Sequence, residues 1–298
     1  MFEQNRHTAF IAYNQARAFF CQHPDCLIAL EQFMATTLYQ ILTDAKEEIV
    51  RDYNAASLLY PFWQNYPPDE RGRQPIGDQF PWIEVGEHAI GAKLPRLLMS
   101  LFSIKDIGIP VGPDERFVLQ SDNISQLTNG ITDSIWLFSD IKSVGPRDDA
   151  MHAVMSHNQI TGAGEWTVEN DGIKNRIMTA TGKRAFHQFH CSIPPLYILS
   201  DGTTAPVINI VIKPLYRMLD KSNAGGGQPL EKITLATIPN GLLLEEGPCY
   251  LKQYPSLLFP GKDDKTMNPL KLRARVDFNI LRNIAPWRIR ELDMRSED

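Results

Sequence analysis

The sequence holds 298 residues, 43% apolar and 22% charged, with a formal charge of −5 from 30 Lys and Arg against 35 Asp and Glu. This composition excludes a largely disordered chain and a strongly basic nucleic-acid coat. No run reaches the roughly 18 apolar residues of a membrane span, and the opening MFEQNRHTAF has no signal-type apolar core.

Residues 1–58 read as helical. Leu27, Ile28, Leu30, Phe33, Met34, Leu38, Ile41 and Leu42 recur at helical spacing, and Pro24-Asp25 fits the start of that helix. The next segment, Tyr60–Trp82, is rich in Pro, Gly and aromatics and reads as a wrapping arm. Ile83–Phe102 resumes a helical pattern, with Pro95 implying a break or a kink. From about residue 108 strands take over: Arg116–Gln120, Ser134–Ser143, and a hairpin of Leu196–Ser200 and Val207–Ile212 turning at Asp201-Gly202. Lys232–Ile238 and Leu272–Ile280 complete the strands. Helices lead and strands follow, which argues an α+β or mixed α/β fold. With no repeat and no convincing linker, 1–298 reads as one domain, helical over 1–105 and strand-rich over 108–298.

Asp140-Ile141-Lys142 is the first candidate for chemistry. In a strand, residues two apart share a face, so Asp140 and Lys142 project together with Ile141 buried behind them. Cleaving a phosphodiester calls for a carboxylate to hold a hard cation and an ammonium to position the attacking water. A second carboxylate, Asp114 of Gly112-Pro113-Asp114-Glu115-Arg116, can complete the site. The triplet alone is weak: Asp44-Ala45-Lys46 and Asp263-Asp264-Lys265 share it, but the first lies in a helical pattern and the second in a polar loop. Spacing alone leaves open a solvated Asp/Lys pair at a strand end.

The blocks NYPPDERG (65–72), PWIEVGE (81–87), GPDERF (112–117), LTNGITDSI (127–135), DIKSVGPRD (140–148), IPPLYILSDGT (193–203) and PGKDDKT (260–266) resemble the BglI family of type II restriction endonucleases, within the PD-(D/E)XK superfamily. They cover most of the chain in the same order. The resemblance implies a restriction-endonuclease-like mixed sheet flanked by helices. It implies a homodimer that cuts double-stranded DNA at an interrupted palindrome, GCCNNNNNGGC, with one or two Mg²⁺ per active site. Asp114, Asp140 and Lys142 take the catalytic positions, with the Ile141 carbonyl as an extra metal ligand. The matching base-contacting positions are Arg147, Asp148, Lys262, Asp264, Arg273 and Arg275. Arginine to guanine and aspartate to cytosine N4 are the pairings a G·C-rich site calls for. Two other readings stay open: a non-catalytic dimeric DNA-binding protein, and a repair or structure-specific nuclease.

Four irregularly spaced cysteines (Cys21, Cys26, Cys191, Cys249) read as reduced thiols of a cytoplasmic protein. Cys21, His23 and Cys26 lack the second pair that a zinc site needs. His187 and His190 form an isolated His-x-x-His that reads as structural. Gly225–Gly227 has no following Lys-Ser/Thr and is no phosphate loop. Trp63, Tyr66 and Trp82 read as packing of the arm, and Glu84 and Glu87 as charges near a helix start. The helices around Leu30–Leu42 belong either to the core or to a dimer interface.

Overall fold

A computed structural model describes residues 2–55, 87–105, 113–143, 150–183, 186–216, 229–260 and 273–295. The expected arm at 60–82 lies outside the described residues, as do Glu84, Gly225–Gly227 and four of the expected base-contacting residues.

Three helices open the chain: α1 (Phe2–Gln22), α2 (Pro24–Asp44) and α3 (Lys46–Ala55). Pro24 sits in the first turn of α2, where its missing N–H costs nothing. Within the helical pattern expected over 83–102, the described residues form a single π-helical turn, Glu87–Gly91, followed by a short α-helix, Leu94–Leu98. Pro95 does not kink a long helix; it sits in the first turn of the second short one.

The main sheet contains β1 (Ser103–Lys105), β2 (Glu115–Gln120), β3 (Ser134–Ile141), β7 (Leu196–Ile198), β8 (Thr204–Tyr216), β9 (Leu230–Ile238) and β12 (Ile289–Asp293). They run in the order β1-β2-β3-β8-β9-β12, with β7 paired to the start of β8. β3 and β8 are parallel and the other pairs antiparallel, so the sheet is mixed. The expected hairpin at Asp201-Gly202 is present, with Ile198 opposite Thr204. A second, three-stranded sheet of β10 (Leu258–Pro260), β11 (Ala274–Asp277) and β4 (His152–Met155) packs beside the main sheet, together with a hairpin of β5 (Ile177–Thr181) and β6 (Phe186–His190).

All eight residues of β3 are buried, as a central strand covered on both faces demands. Ile135, Leu137 and Ile141 face the helical layer, where Leu30, Met34, Leu38, Ile41 and Leu42 of α2 meet them. Those α2 residues therefore belong to the core. Trp136 and Phe138 face the opposite way, against Val118 and Val207.

The expected strand 272–280 is cut short. β11 ends at Asp277, whose carboxylate accepts the N–H groups of Asn279 (2.8 Å) and Ile280 (3.2 Å) and so caps a helix over Phe278–Ile284. β12 is held to α2 through an ion pair wholly inside the protein. Arg288, fully buried, places Nη2 2.7 Å from Glu31 Oε2, and Glu31 Oε1 accepts the Asn240 N–H at 2.6 Å. His187 and His190 lie on β6, and Cys21, Cys26, Cys191 and Cys249 are all free thiols. None of the described helices is long and apolar enough to cross a membrane.

Candidate active site

Strand alternation puts Asp140 on the same face of β3 as Trp136 and Phe138, away from the helical layer. It is 2% exposed. β2 and β3 pair with Glu115 opposite Ser139, so one further residue of that antiparallel register sets Asp114 opposite Asp140. The same register sends Glu115 to the helical side with Phe117. A Cβ on Gly91 would lie 2.6 Å from Glu115 Oε1 and 3.1 Å from Ile141 Cδ1, so the π-helical turn packs closely against both side chains. Register thus decides which of two adjacent carboxylates joins Asp140.

Asp114 closes the end of β3 with its side chain: Asp114 Oδ2 accepts the Ile141 N–H at 2.8 Å. On the other side, Lys142 N–H donates to Ile212 O of β8 at 2.9 Å, which keeps Lys142 in the ladder beyond the strand's end. Lys142 Nζ lies 2.8 Å from Asp140 Oδ2 and remains 29% exposed. Asp140 Oδ1 accepts from Gln159 Nε2. Oδ2 is buried and receives no well-directed hydrogen bond among the described residues; Lys142 is its paired counter-charge. Burial pushes the Asp140 carboxyl up to about 6, with the Lys142 ammonium opposing the shift and the Asp114 charge adding to it. Burial, then the Asp114 charge, also raises Glu115.

Two facing carboxylates served by a single lysine, one of them buried, describe a pocket with room for further positive charge. Such a donor set fits a hard divalent cation with oxygen ligands. Among the described residues no group of three or more His, Cys, Asp or Glu could hold a metal by itself. The pair therefore needs a backbone carbonyl, water or substrate phosphate to complete a coordination sphere.

The second sheet carries the remaining described candidates. Arg275 of β11 lies opposite Val154 of β4 and Phe259 of β10, on the face turned away from Ala274, Val276 and Met155 of the core. Arg275 is half-buried, and its Nε has no acceptor among the described residues. Arg273 stands just before β11 and is exposed. Arg147, Asp148, Lys262 and Asp264 fall outside the described residues. So Asp114, Asp140, Ile141 and Lys142 are brought together, and Arg273 and Arg275 sit at the second sheet.

Sequence reasoning missed two residues. Gln159 touches Asp140 from a polar turn with no motif, 19 residues away. Lys213, on β8, is buried; its Nζ donates to His152 O at the start of β4 and lies 5.5 Å over the Phe278 ring. A lysine closing the apolar run VINIVIK was the available signal for the second; the first had none.

A family model described as restriction endonuclease BglI matches residues 8–292. The type II restriction enzyme BglI of Bacillus subtilis is 47% identical over 298 residues, covering 99% of each chain. The crystal structure of the restriction endonuclease BglI bound to its DNA recognition sequence superposes with a TM-score of 0.93 at 46% identity, over 99% of this chain and 100% of that one. Tetrameric restriction endonuclease SfiI bound to cognate DNA shares the fold, with a TM-score of 0.58 at 14% identity over 91% of this chain and 85% of that one.

Proposed function

This chain belongs to the BglI family of type II restriction endonucleases, and from that premise we propose that it hydrolyses double-stranded DNA at GCCNNNNNGGC, as a homodimer, with Mg²⁺. The observation that carries the catalytic reading is the pairing of Asp114 with Asp140 across β2 and β3, with Lys142 Nζ against Asp140 Oδ2. A protein that only binds DNA gains nothing from two carboxylates beside a phosphate, because without a cation they repel it.

Asp114, Asp140 and the Ile141 carbonyl would hold one or two Mg²⁺. The ion supplies a bound water of lowered pKa and neutralises charge developing on the phosphate. Lys142, held in line by its backbone bond to Ile212, orients the attacking water and shares the phosphate's negative charge. The buried wall of Trp136 and Phe138 excludes bulk water from behind Asp140. Free thiols suit an enzyme that works in the reducing cytoplasm.

Plasmid DNA in Mg²⁺ tests the reading. Discrete fragments that map to GCCNNNNNGGC support it; a smear, or intact DNA with a gel shift, overturns it. Two-fold symmetry of the target requires a two-fold protein, so sedimentation as a monomer at micromolar concentration would contradict the dimer.

Base readout is assigned to Arg147, Asp148, Lys262, Asp264, Arg273 and Arg275. Of these, Arg275 has the geometry of a reader: a guanidinium on the sheet face turned from the core, with a buried Nε that has no acceptor among the described residues. One lost bidentate arginine–guanine contact costs roughly 1–3 kcal/mol, and a symmetric dimer loses it twice, about 2–6 kcal/mol if the halves add. Arg275→Ala and Arg273→Ala should therefore lose most of their preference for the site over single-base variants while still cutting. If both variants discriminate as well as the parent does, the readout lies elsewhere.

A further inference from the structure

Asp140 is gripped from two sides, and only one of them carries charge. Lys142 Nζ faces Oδ2 at 2.8 Å, while Gln159 Nε2 donates to Oδ1. The Gln159 amide cannot turn over without loss, because its Oε1 accepts the Ser156 N–H at 2.8 Å. The Gln159 N–H in turn donates to Ser156 O at 3.0 Å, so backbone and side chain close the same turn. With its acceptor committed, the amide presents a donor to Asp140.

This turn is not free to drift. It follows directly from β4, whose Met155 pairs with Ala274 of β11 and whose His152 carbonyl is bonded by the buried Lys213 of β8. Gln159 is thus fixed to the catalytic sheet through β8 and to the second sheet through β4. A neutral donor in this place does what a second lysine could not: it sets the rotation of the carboxylate without bringing a charge that competes with a cation.

We propose that Gln159 is a positioning residue for Asp140, one that orients its carboxylate for the divalent cation. The proposal rests on the reading of Asp140 as a metal ligand. Removing groups that orient a metal's ligands typically costs 10–100-fold in metal affinity or activity.

The test uses Gln159→Met, which keeps length but deletes both the donor to Asp140 and the acceptor of the Ser156 N–H, with Gln159→Ala as a second variant and Asp140→Ala as the reference. Calorimetric titration of Ca²⁺ into the full-length enzyme on a duplex bearing GCCNNNNNGGC reads cation binding without turnover. For Gln159→Met the expected result is roughly tenfold or greater weakening of Ca²⁺ binding. Its thermal midpoint should fall only slightly, from the lost Ser156 bond, its metal-free DNA affinity should stay at the parental value, and its cleavage at saturating Mg²⁺ should recover more than its cleavage at limiting Mg²⁺. A role in folding alone would lower the thermal midpoint and leave Ca²⁺ binding untouched, and that outcome overturns the proposal. Parental Ca²⁺ binding in Gln159→Met beside lost binding in Asp140→Ala overturns the role of Gln159 alone. Parental binding in Asp140→Ala removes the metal reading beneath it.

Discussion

Replacing Asp140 with alanine is expected to abolish cleavage and, in the absence of metal, to raise the stability of the protein at neutral pH. The loss follows from the site. Asp140 supplies one of two facing carboxylates, and a cation's stabilisation of a phosphoryl transition state is worth several kcal/mol. At about 1.4 kcal/mol per tenfold, that is at least about a thousandfold in rate. The gain follows from burial. The folded-state carboxyl is pushed up to about 6, above the ordinary aspartate value near 3.8, so the fold holds its proton more tightly than the unfolded chain does. Stability is then fully present below about pH 3.8 and falls as pH rises through about 6. Above that, keeping Asp140 ionised costs about 3 kcal/mol. Asp140→Ala should therefore match the parent in urea at pH 3.5 and exceed it at pH 7.5, less what the lost packing takes back. Lys142, partly exposed, keeps its hydration when its partner goes. If Asp140 holds the proposed Mg²⁺, the same proton should raise the parent's Mg²⁺ demand below about pH 6. Parental cleavage by the variant, or a stability difference that grows towards acid, would sink the assignment.

Breaking the buried pair of Glu31 and Arg288 should have the largest effect on folding. Neither side chain has any solvent exposure. Arg288 Nη1 also donates to Thr237 O at 3.3 Å, and its guanidinium lies 4.5 Å over Trp287 and 5.5 Å over Tyr250. Burial raises the Glu31 carboxyl even against the Arg288 charge. Removing one partner strands the other charge in the interior, which costs about 3–5 kcal/mol, whereas replacing both with apolar residues of similar volume is often neutral or better. Glu31→Met and Arg288→Met should each lower the urea midpoint sharply, and the double variant should recover most of the loss. Single variants that unfold like the parent, or a double variant as poor as both losses added, would show that the pair is solvated or separately supported.

The sequence made the central strand legible because β3 is buried on both faces and reads as an apolar run broken by Asp140. Its position beside a Pro-Asp was equally visible. What spacing could not decide was whether Asp114 or Glu115 joins Asp140, since that depends on a cross-strand register set by β2 and β3 together. Gln159 was invisible for the same reason at longer range: its partner is chosen by where β4 docks. The strand over 272–280 was overdrawn because its apolar alternation runs on past Asp277, whose capping role outweighs it. β12, with the polar sequence IRELD, gave too little alternation to be read, although Ile289 and Leu292 are buried beneath it.

The parallel pairing of β3 with β8 has a consequence for how activity arises during synthesis. Residues 142–203 separate the two strands, so their contact is non-local and carries the entropy of closing a long loop. Topologies of this kind fold slowly, and their central contacts form after the local ones. When a ribosome has made Lys142, the three proposed catalytic side chains exist, yet the Ile212 carbonyl that accepts the Lys142 N–H has still to be added. The proposed site is therefore complete in composition before it is complete in geometry, and the strand that closes its ladder contributes no catalytic group to it.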